Sequence, residues 1–247
     1  MLQLAYARMV AGVNVVKYHK RLMELGMAKE GYGTPVLAMS LLDRFMAARA
    51  ASEQGQINPK DVEYLGWAAH WAALKHASSA YGLGKWMAED LEQWAGMKQD
   101  KLREFEVILL LGLGEEKPNS DGGSGEEGEG GGREWGRFQP WSLERPTSYA
   151  FIEPFLAVMG IPLNSDQGKF AENALMTSLF WDGMAAYAPS MIAASAAFMT
   201  LKWKTPDAPY PDNLQKVSSY SQEDLADCLA HMENLHRRHS RYREGRW

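Results

Sequence analysis

The sequence has little cysteine, no excess of basic charge and no long apolar stretch free of charge and proline. Cys228 is the only cysteine among 247 residues, so no intramolecular disulfide can form and a reducing compartment fits best. The longest apolar stretch, residues 180–203, contains Asp182 and Pro189, which favours two buried helices meeting at a turn over a membrane span. The net charge of −5 argues against a generic nucleic-acid binder. With no signal peptide evident, we expect a soluble intracellular protein without nucleic-acid or membrane partners.

The sequence also lacks the motifs that usually identify an enzyme. It has no Ser nucleophile elbow, no Walker loop and no paired aspartates in one motif. Gly123-Ser-Gly-Glu-Glu-Gly128 matches the dinucleotide-binding glycine pattern, but no strand is predicted before it and no helix after it. His231, His236 and His239 lie in a basic run on the last predicted helix, and the last two have no further zinc ligand placed beside them. We therefore predict no catalytic residue, no cofactor and no metal site.

What the sequence does contain is helical periodicity. In residues 65–75, small alanines recur at three- and four-residue steps, with Trp67, Trp71 and Leu74 between them. Such a helix belongs at the centre of a bundle, because small residues permit close helix approach and large aromatics bury much apolar area. The run ends at Lys75, where we expect the helix to emerge. The predicted helices cover residues 1–25, 37–46, 59–75, 87–94, 98–113, 149–158, 170–187 and 189–202, and a final helix starts at the capping residue Ser221.

One segment has a different composition from the rest. Of the nineteen residues 114–132, thirteen are Gly or Glu and none is aromatic or aliphatic. Such a segment cannot bury enough apolar area to offset its ordering entropy, so we predict a disordered linker. We expect Trp135, Phe138 and Trp141, which follow it, to pack back onto the folded bundles.

A short repeat relates the two sides of this linker. Trp67-Ala-Ala-His70 lies on the third predicted helix of the first half, and Ile192-Ala-Ala-Ser195 lies on the third of the second half. We therefore predict two similar all-α units. The predicted divisions are residues 1–113, an acidic Gly-rich linker at 114–144, and residues 145–247 with a basic tail.

Six motifs occur in an order that is familiar from one protein family. The first half contains Ser40-Leu-Leu-Asp43-Arg-Phe-Met46, Leu65-Gly-Trp-Ala-Ala-His-Trp-Ala-Ala-Leu-Lys75 and Phe105-Glu-Val-Ile-Leu-Leu110. The second half contains Arg145-Pro-Thr-Ser-Tyr-Ala-Phe-Ile-Glu-Pro-Phe155, Ala188-Pro-Ser-Met-Ile-Ala-Ala-Ser-Ala196 and Tyr220-Ser-Gln-Glu-Asp-Leu225. The first set resembles a cyclin box and the second a carboxy-terminal cyclin fold. The chain thus resembles the cyclin family, and most of all the mitotic A/B-type cyclins, over nearly all of its length outside the linker.

The resemblance implies two tandem five-helix bundles and a regulatory subunit that binds and activates a cyclin-dependent kinase in the nucleus and cytoplasm. In the family, a lysine at the end of the third helix and a glutamate in the fifth bind the region of the kinase αC helix. Lys75 and Glu106 occupy these positions, and His76 and Leu110 are expected beside them. Without the resemblance, Lys75 and Glu106 would be interpreted as ordinary exposed charges on helices. Leu110 could equally be a buried core residue that contacts no kinase.

The sequence departs from the family pattern at three places. Residues 76–78 are His-Ala-Ser, where relatives commonly have an aromatic residue and two acids. Lys20 stands where the substrate-docking patch carries tryptophan, and Asn14 where an arginine usually pairs with the aspartate that matches Asp43. The departures at Lys20 and Asn14 argue against docking of basic-leucine substrate motifs, and substrates of the kinase stay among the expected partners. The departure at residues 76–78 keeps open a helical adaptor that binds no kinase. A transcription-factor-like protein is a further alternative, because tandem cyclin folds also occur in that class, although the acidic balance argues against DNA binding.

Overall fold

The fold is known from a computed structural model that describes residues 2–25, 32–51, 57–77, 85–114 and 146–243. Throughout these ranges the secondary structure is helical, with turns between the helices and no strand. The predicted all-α fold class is therefore confirmed. The predicted linker beyond Gly114, together with Trp135, Phe138 and Trp141, lies outside the described residues.

In the first half, five helices form a bundle with one of them at its centre. They are α1 (Leu2–Glu24), α2 (Gly33–Ala51), α3 (Pro59–Ala77), α4 (Lys85–Ala95) and α5 (Gln99–Gly114). As its composition predicts, α3 is the central one, with Trp67, Ala68, Ala69 and Ala73 all buried, and it packs against α1, α2 and α5. It ends two residues after Lys75, whose side chain is exposed as predicted.

The second half has a similar plan. Its helices are α6 (Ser148–Val158), α7 (Asp166–Ser178), α8 (Pro189–Lys204), α9 (Asp212–Ser218) and α10 (Gln222–Arg243), with a short 3-10 helix (Asp182–Ala186) before α8. The alanine-rich α8 is buried continuously over residues 192–200 and packs against α6, α7, α9 and α10. The third helix of each half is therefore the central one.

The helix predicted over residues 170–187 differs from the observed one at both ends. It begins earlier, because the side chain of Ser165 caps it by accepting from the Gly168 N–H at 3.1 Å. It also stops at Ser178, where the backbone N–H groups of Leu179, Phe180 and Trp181 bond three residues back in a tighter turn. The sequence prediction also missed α9, a seven-residue helix that is followed by Ser219 in the left-handed region, with φ of +63°.

The two halves share part of their packing. Met176 and Leu179, from the end of α7, belong to the apolar core of the first half. The Arg8 Nη1 of α1 donates a hydrogen bond to the backbone carbonyl of Leu179 at 2.7 Å, across 171 residues of sequence. This contact sets the end of α7 against the middle of α1, and the junction places α1, α2, α6 and α8 around a common space.

Candidate functional site

The predicted site residues of the first half come from two packed helices. Lys75 lies in the last turn of α3, and Glu106 lies in the middle of α5. The buried stripe of α5, formed by Leu102, Phe105 and Leu109, packs into the core of the first half and fixes the rotation of that helix. This rotation brings the Glu106 side chain to the exposed end of α3.

Lys75 and Glu106 form an ion pair with each other through Lys75 Nζ and Glu106 Oε1. The two side chains differ in exposure, since Lys75 is 45% exposed and Glu106 only 11%. Lys75 Nζ also lies 5.8 Å from the ring centroid of Trp71, within the range of a cation–π contact. A carboxylate this buried is costly without a charge partner, and Lys75 supplies that partner at the edge of the bundle.

Apolar side chains flank this ion pair along α5. Leu110 is half-buried, whereas Val107 is 55% and Leu111 53% exposed. Val107 and Leu111 are four residues apart, so they share one solvent-facing side of the helix. Together with the ion pair, Leu110, Val107 and Leu111 form a surface, which we call the α3–α5 surface.

Sequence reasoning found part of the α3–α5 surface and missed the rest. His76 lies next to Lys75 as expected, is exposed, and makes no hydrogen bond or ion pair with the residues that the structure describes. Val107, Leu111 and Trp71 were not predicted. The signal for the two α5 residues was present, because they fall outside the buried stripe while remaining apolar.

The structure overturns one expectation about α1. Asp43 was expected to lack an arginine partner because Asn14 occupies the matching position. Instead, Arg8 binds Asp43 in a fork, with its Nε and Nη2 donating to Oδ1 and Oδ2 at 2.6 Å each. Asn14 donates to Glu63 at 2.8 Å. The arginine that pairs with Asp43 therefore lies six residues earlier than the position expected from the resemblance.

This correction also moves the position of the family's docking tryptophan. The expectation placed that tryptophan six residues after the arginine, at Lys20, so the corrected position is Asn14. Asn14 is polar and engaged with Glu63, and Lys20 is exposed. The corrected position therefore also lacks the tryptophan, and the prediction against motif docking now depends on Asn14.

On the last helix, His231 and His236 contact different residues. His231 Nδ1 lies 2.6 Å from the hydroxyl of Tyr187, which also donates to Asp227. Partial burial and the bond to Asp227 raise the pKa of Tyr187 to about 12. His236 instead packs against the ring of Phe170, with 4.9 Å between ring centroids. In the described part of the chain, no group of three or more His, Cys, Asp or Glu side chains is placed to hold a metal ion.

Two other sequence-based points can be compared with the structure. Cys228 is fully buried in the core of the second half, and burial raises the pKa of its thiol to about 11, so it is a poor nucleophile at neutral pH. None of the helices in the described ranges is long and apolar enough to cross a membrane.

The second half matches a known family. The family model described as "Cyclin, C-terminal domain" matches residues 146–245, a range that begins just before α6 and includes α7 to α10.

Two proteins of Oryza sativa subsp. japonica are similar to parts of the chain. One is named cyclin-F1-1 and is 30% identical over 103 residues, which are 40% of this chain and 27% of the relative. The other is named cyclin-F1-2 and is 30% identical over 90 residues, which are 36% of this chain and 25% of the relative. The chain thus spans about a quarter of the length of the curated relatives it matches.

Proposed function

The chain belongs to the cyclin family, and from this premise we propose that it is the regulatory subunit of a cyclin-dependent Ser/Thr protein kinase in cell-cycle control. The proposal includes a first cyclin box in the first half, a closest kinship with the mitotic A/B-type cyclins, and work in the nucleus and cytoplasm. One observation carries it most directly: a nearly buried, charge-paired glutamate lies beside exposed apolar side chains on the α3–α5 surface.

The α3–α5 surface has the composition of a protein interface. Exposed Val107 and Leu111 supply apolar area that water solvates poorly, and burying it on a partner is favourable. The Lys75–Glu106 pair supplies donors and acceptors for backbone groups of the partner. Because the pair is already formed in the free protein, a partner meets two side chains whose positions are set in advance, and this lowers the entropic cost of association.

The proposed mechanism is allosteric. A protein kinase is active only when the glutamate of its αC helix pairs with the lysine of its β3 strand, which requires αC to be turned inward. A regulatory subunit that binds the inward state more tightly shifts the kinase population toward it by the difference in affinity. In this proposal the α3–α5 surface binds αC and contributes no catalytic group.

The test compares two ion pairs that each involve a glutamate of α5. Lys75→Ala with Glu106→Ala removes the pair in the α3–α5 surface. Lys101→Ala with Glu104→Ala removes an exposed pair earlier on α5, whose Nζ and Oε2 lie 2.9 Å apart. With a panel of purified cyclin-dependent kinases, we expect the first double variant to bind at least about 30-fold more weakly, since interface charges of this kind contribute 2 kcal/mol or more. The second should bind like the wild type.

The apolar half of the surface has its own test. Leu111→Ser removes exposed apolar area without touching the ion pair, so kinase binding should weaken about tenfold while the thermal stability of the free protein stays within about 0.5 kcal/mol. If the Lys75–Glu106 variant activates its kinase at wild-type concentrations, the assignment of this surface is wrong. If the wild-type protein binds none of the kinases, it is instead a helical adaptor or a transcription-factor-like tandem cyclin-fold protein.

A further inference from the structure

A threonine followed by proline occurs at two places in the chain, Thr34-Pro35 and Thr205-Pro206. This dipeptide is the acceptor signal that proline-directed Ser/Thr kinases recognise. The proline also disfavours a helical backbone at the threonine before it and so favours an extended one. The structure places the two dipeptides in different settings, which separates an accessible acceptor from an inaccessible one.

Thr205 directly follows α8, at the start of the connection to α9. Its backbone is extended, with φ of −133° and ψ of 93°, as the following proline favours. Thr205, Pro206 and Asp207 are all exposed, and the Thr205 hydroxyl makes no hydrogen bond to any residue that the structure describes. An unbonded hydroxyl on an exposed, extended residue is in the form that a kinase can take into its cleft.

Little structure has to open for this acceptor to reach a kinase. The Thr205 N–H donates to the Leu201 carbonyl at 2.9 Å, and the Thr205 carbonyl accepts from the Ala208 N–H at 2.9 Å. Both bonds involve an exposed residue at a helix end, and helix ends open at low cost in free energy. The next anchor along the chain is Tyr210, whose ring centroid lies 5.0 Å from that of Phe198. The segment before this anchor can therefore open while the core of the second half stays packed.

The other threonine–proline dipeptide is held inside a helix. Thr34 and Pro35 lie in the first turn of α2, where Thr34 is half-buried and Pro35 is buried. The Val36 N–H donates to the Tyr32 carbonyl at 3.1 Å, and Val36 belongs to the core of the first half. An extended conformation at Thr34 would take Pro35 and Val36 out of their packing, so opening costs more here than at Thr205. Thr34 is therefore an internal control with the same local sequence.

A phosphate on Thr205 would change the charge at the end of α8. Lys202 and Lys204 lie in the last turn of this helix, and Asp207 lies two residues after Thr205. Lys202 pairs with Glu233, whereas Lys204 makes no ion pair with the residues that the structure describes. These two lysines and two acids sum to zero, so a phosphate of charge about −1.5 to −2 makes the helix end negative. Lys204 is the cation available to pair with it, while the last carbonyls of α8 repel it.

We propose that Thr205 is a phosphorylation site for a proline-directed Ser/Thr kinase. The Thr205 hydroxyl oxygen bonds to the γ-phosphorus of ATP, the bond from that phosphorus to the β–γ bridging oxygen breaks, and ADP leaves. The hydroxyl proton passes to the catalytic aspartate of the kinase. The new negative charge lies two residues from Trp203, whose exposed ring stacks on Phe170 with 4.9 Å between centroids. The modification thus changes a surface of the second half, whereas the α3–α5 surface belongs to the first.

The test uses the purified full chain, Mg-ATP and a mitogen-activated protein kinase, which selects proline after its acceptor and is active without a cyclin. Intact-mass and tandem mass spectrometry measure the amount and position of phosphate over time. We expect one phosphate per chain, on Thr205, and a rate at Thr34 at least about tenfold lower. Thr205→Ala should abolish this incorporation, and the matched control Thr34→Ala should leave it unchanged. Pro206→Ala should slow it at least about tenfold, because the proline pocket of the kinase is then left unfilled.

Circular dichroism before the reaction shows whether each variant is folded. If Pro206→Ala does not fold, the comparison of Thr205→Ala with Thr34→Ala decides. Absence of phosphate on Thr205, while the same kinase fully phosphorylates a short threonine–proline peptide, would overturn the proposal. Equal rates at Thr34 and Thr205 would overturn it too, because the fold would then not select the acceptor. Neither result bears on kinase binding by the α3–α5 surface, since the enzyme used here needs no regulatory subunit.

Discussion

The third helices of the two halves, α3 and α8, have the same central place but different polar residues. In the repeat, His70 of α3 matches Ser195 of α8, and both are fully buried. Counting on from there, Lys75 matches Thr200, which is also buried and donates its hydroxyl to the Ala196 carbonyl at 3.0 Å. The first central helix therefore emerges from its bundle at a charge, while the second is still buried at the matching residue, Thr200.

This difference shows how two similar helical bundles can differ in the surface beside their central helix. The emergence of α3 at Lys75 allows the pair with Glu106, next to Val107 and Leu111. In the second half the first charge is Lys202, which pairs with Glu233 at 2.5 Å, and both side chains are about one third exposed. A pair whose carboxylate is nearly buried and lies beside apolar area is suited to a partner, whereas a pair with both side chains evenly solvated is suited to water.

The largest expected effect concerns how closely α1 approaches α3. Gly66 matches Met191 in the repeat, and a Cβ at Gly66 would lie 2.8 Å from the Cβ of Ala11. Ala11 has no rotamer that could relieve this contact, so α1 must shift. We expect Gly66→Ala to lower the free energy of unfolding by about 2–3 kcal/mol despite its better helix propensity, as measured by urea denaturation.

The matched change in the second half is Met191→Leu, which conserves volume at a half-buried position. It should cost less than about 1.5 kcal/mol. If Gly66→Ala stabilises the protein, the close packing of α1 on α3 is not a determinant of the first bundle.

The next effect depends on pH and belongs to the first half alone. His70 is fully buried, its Nδ1 has no hydrogen-bond partner, and its Nε2 lies 3.5 Å from Nδ1 of the buried His19. Burial, and to a lesser extent His19, lower the pKa of His70 well below its usual value. The unfolded chain therefore binds a proton below about pH 6.5 that the folded chain excludes, and stability is lost as pH falls through that value.

We expect the free energy of unfolding to fall by about 1.4 kcal/mol per pH unit below pH 6.5 on account of His70. Urea denaturation from pH 7.5 to 5 measures the slope. His70→Gln should reduce the slope of the free energy of unfolding against pH by about 1.4 kcal/mol per pH unit. Ser195→Ala, at the matching position of α8, should leave this slope unchanged. Equal slopes in the wild type and His70→Gln would mean that His70 does not titrate on unfolding.

Features that depend on residues close together in the sequence could be predicted, whereas contacts between distant helices could not. The central place of α3 follows from its alanines and tryptophans, because a helix that is apolar on nearly all sides must be buried. Resemblance to the family is enough to name Lys75 and Glu106 as candidate site residues. Their mutual ion pair depends on the rotation of α5 against α3, which no local pattern encodes.

The errors have similar physical causes. The partner of Asp43 was misplaced because a match to a family pattern does not fix which side chains of two packed helices meet. The hydrogen bond from Arg8 to the Leu179 carbonyl could not be predicted at all, since the two residues lie 171 positions apart. Val107 and Leu111 were overlooked because periodicity identifies the buried stripe of a helix, and an exposed apolar residue is ordinary when it is judged alone.

A smaller effect is expected from the unequal exposure of Lys75 and Glu106. Lys75→Ala alone leaves the carboxylate of Glu106, only 11% exposed, without its partner. We expect this single variant to lower the free energy of unfolding by about 1–2 kcal/mol, and the added change Glu106→Gln to recover most of it, because no buried charge is then left unpaired. Thermal denaturation of the three proteins measures this. A single variant as stable as the wild type would show that water solvates Glu106 well enough without Lys75.

The smallest effect is expected at the corresponding pair of the second half. Lys202 and Glu233 are exposed to similar extents, 32% and 33%, so water competes with the pair and salt screens it. A double-mutant cycle with Lys202→Ala and Glu233→Ala should give a coupling energy below about 1 kcal/mol, falling further at high salt. The same variants should leave kinase binding unchanged, since they lie in the other half from the α3–α5 surface. A coupling energy above about 2 kcal/mol, or a kinase affinity reduced as much as by the Lys75–Glu106 variant, would mean that both central helices end in functional surfaces and that the contrast between them is false.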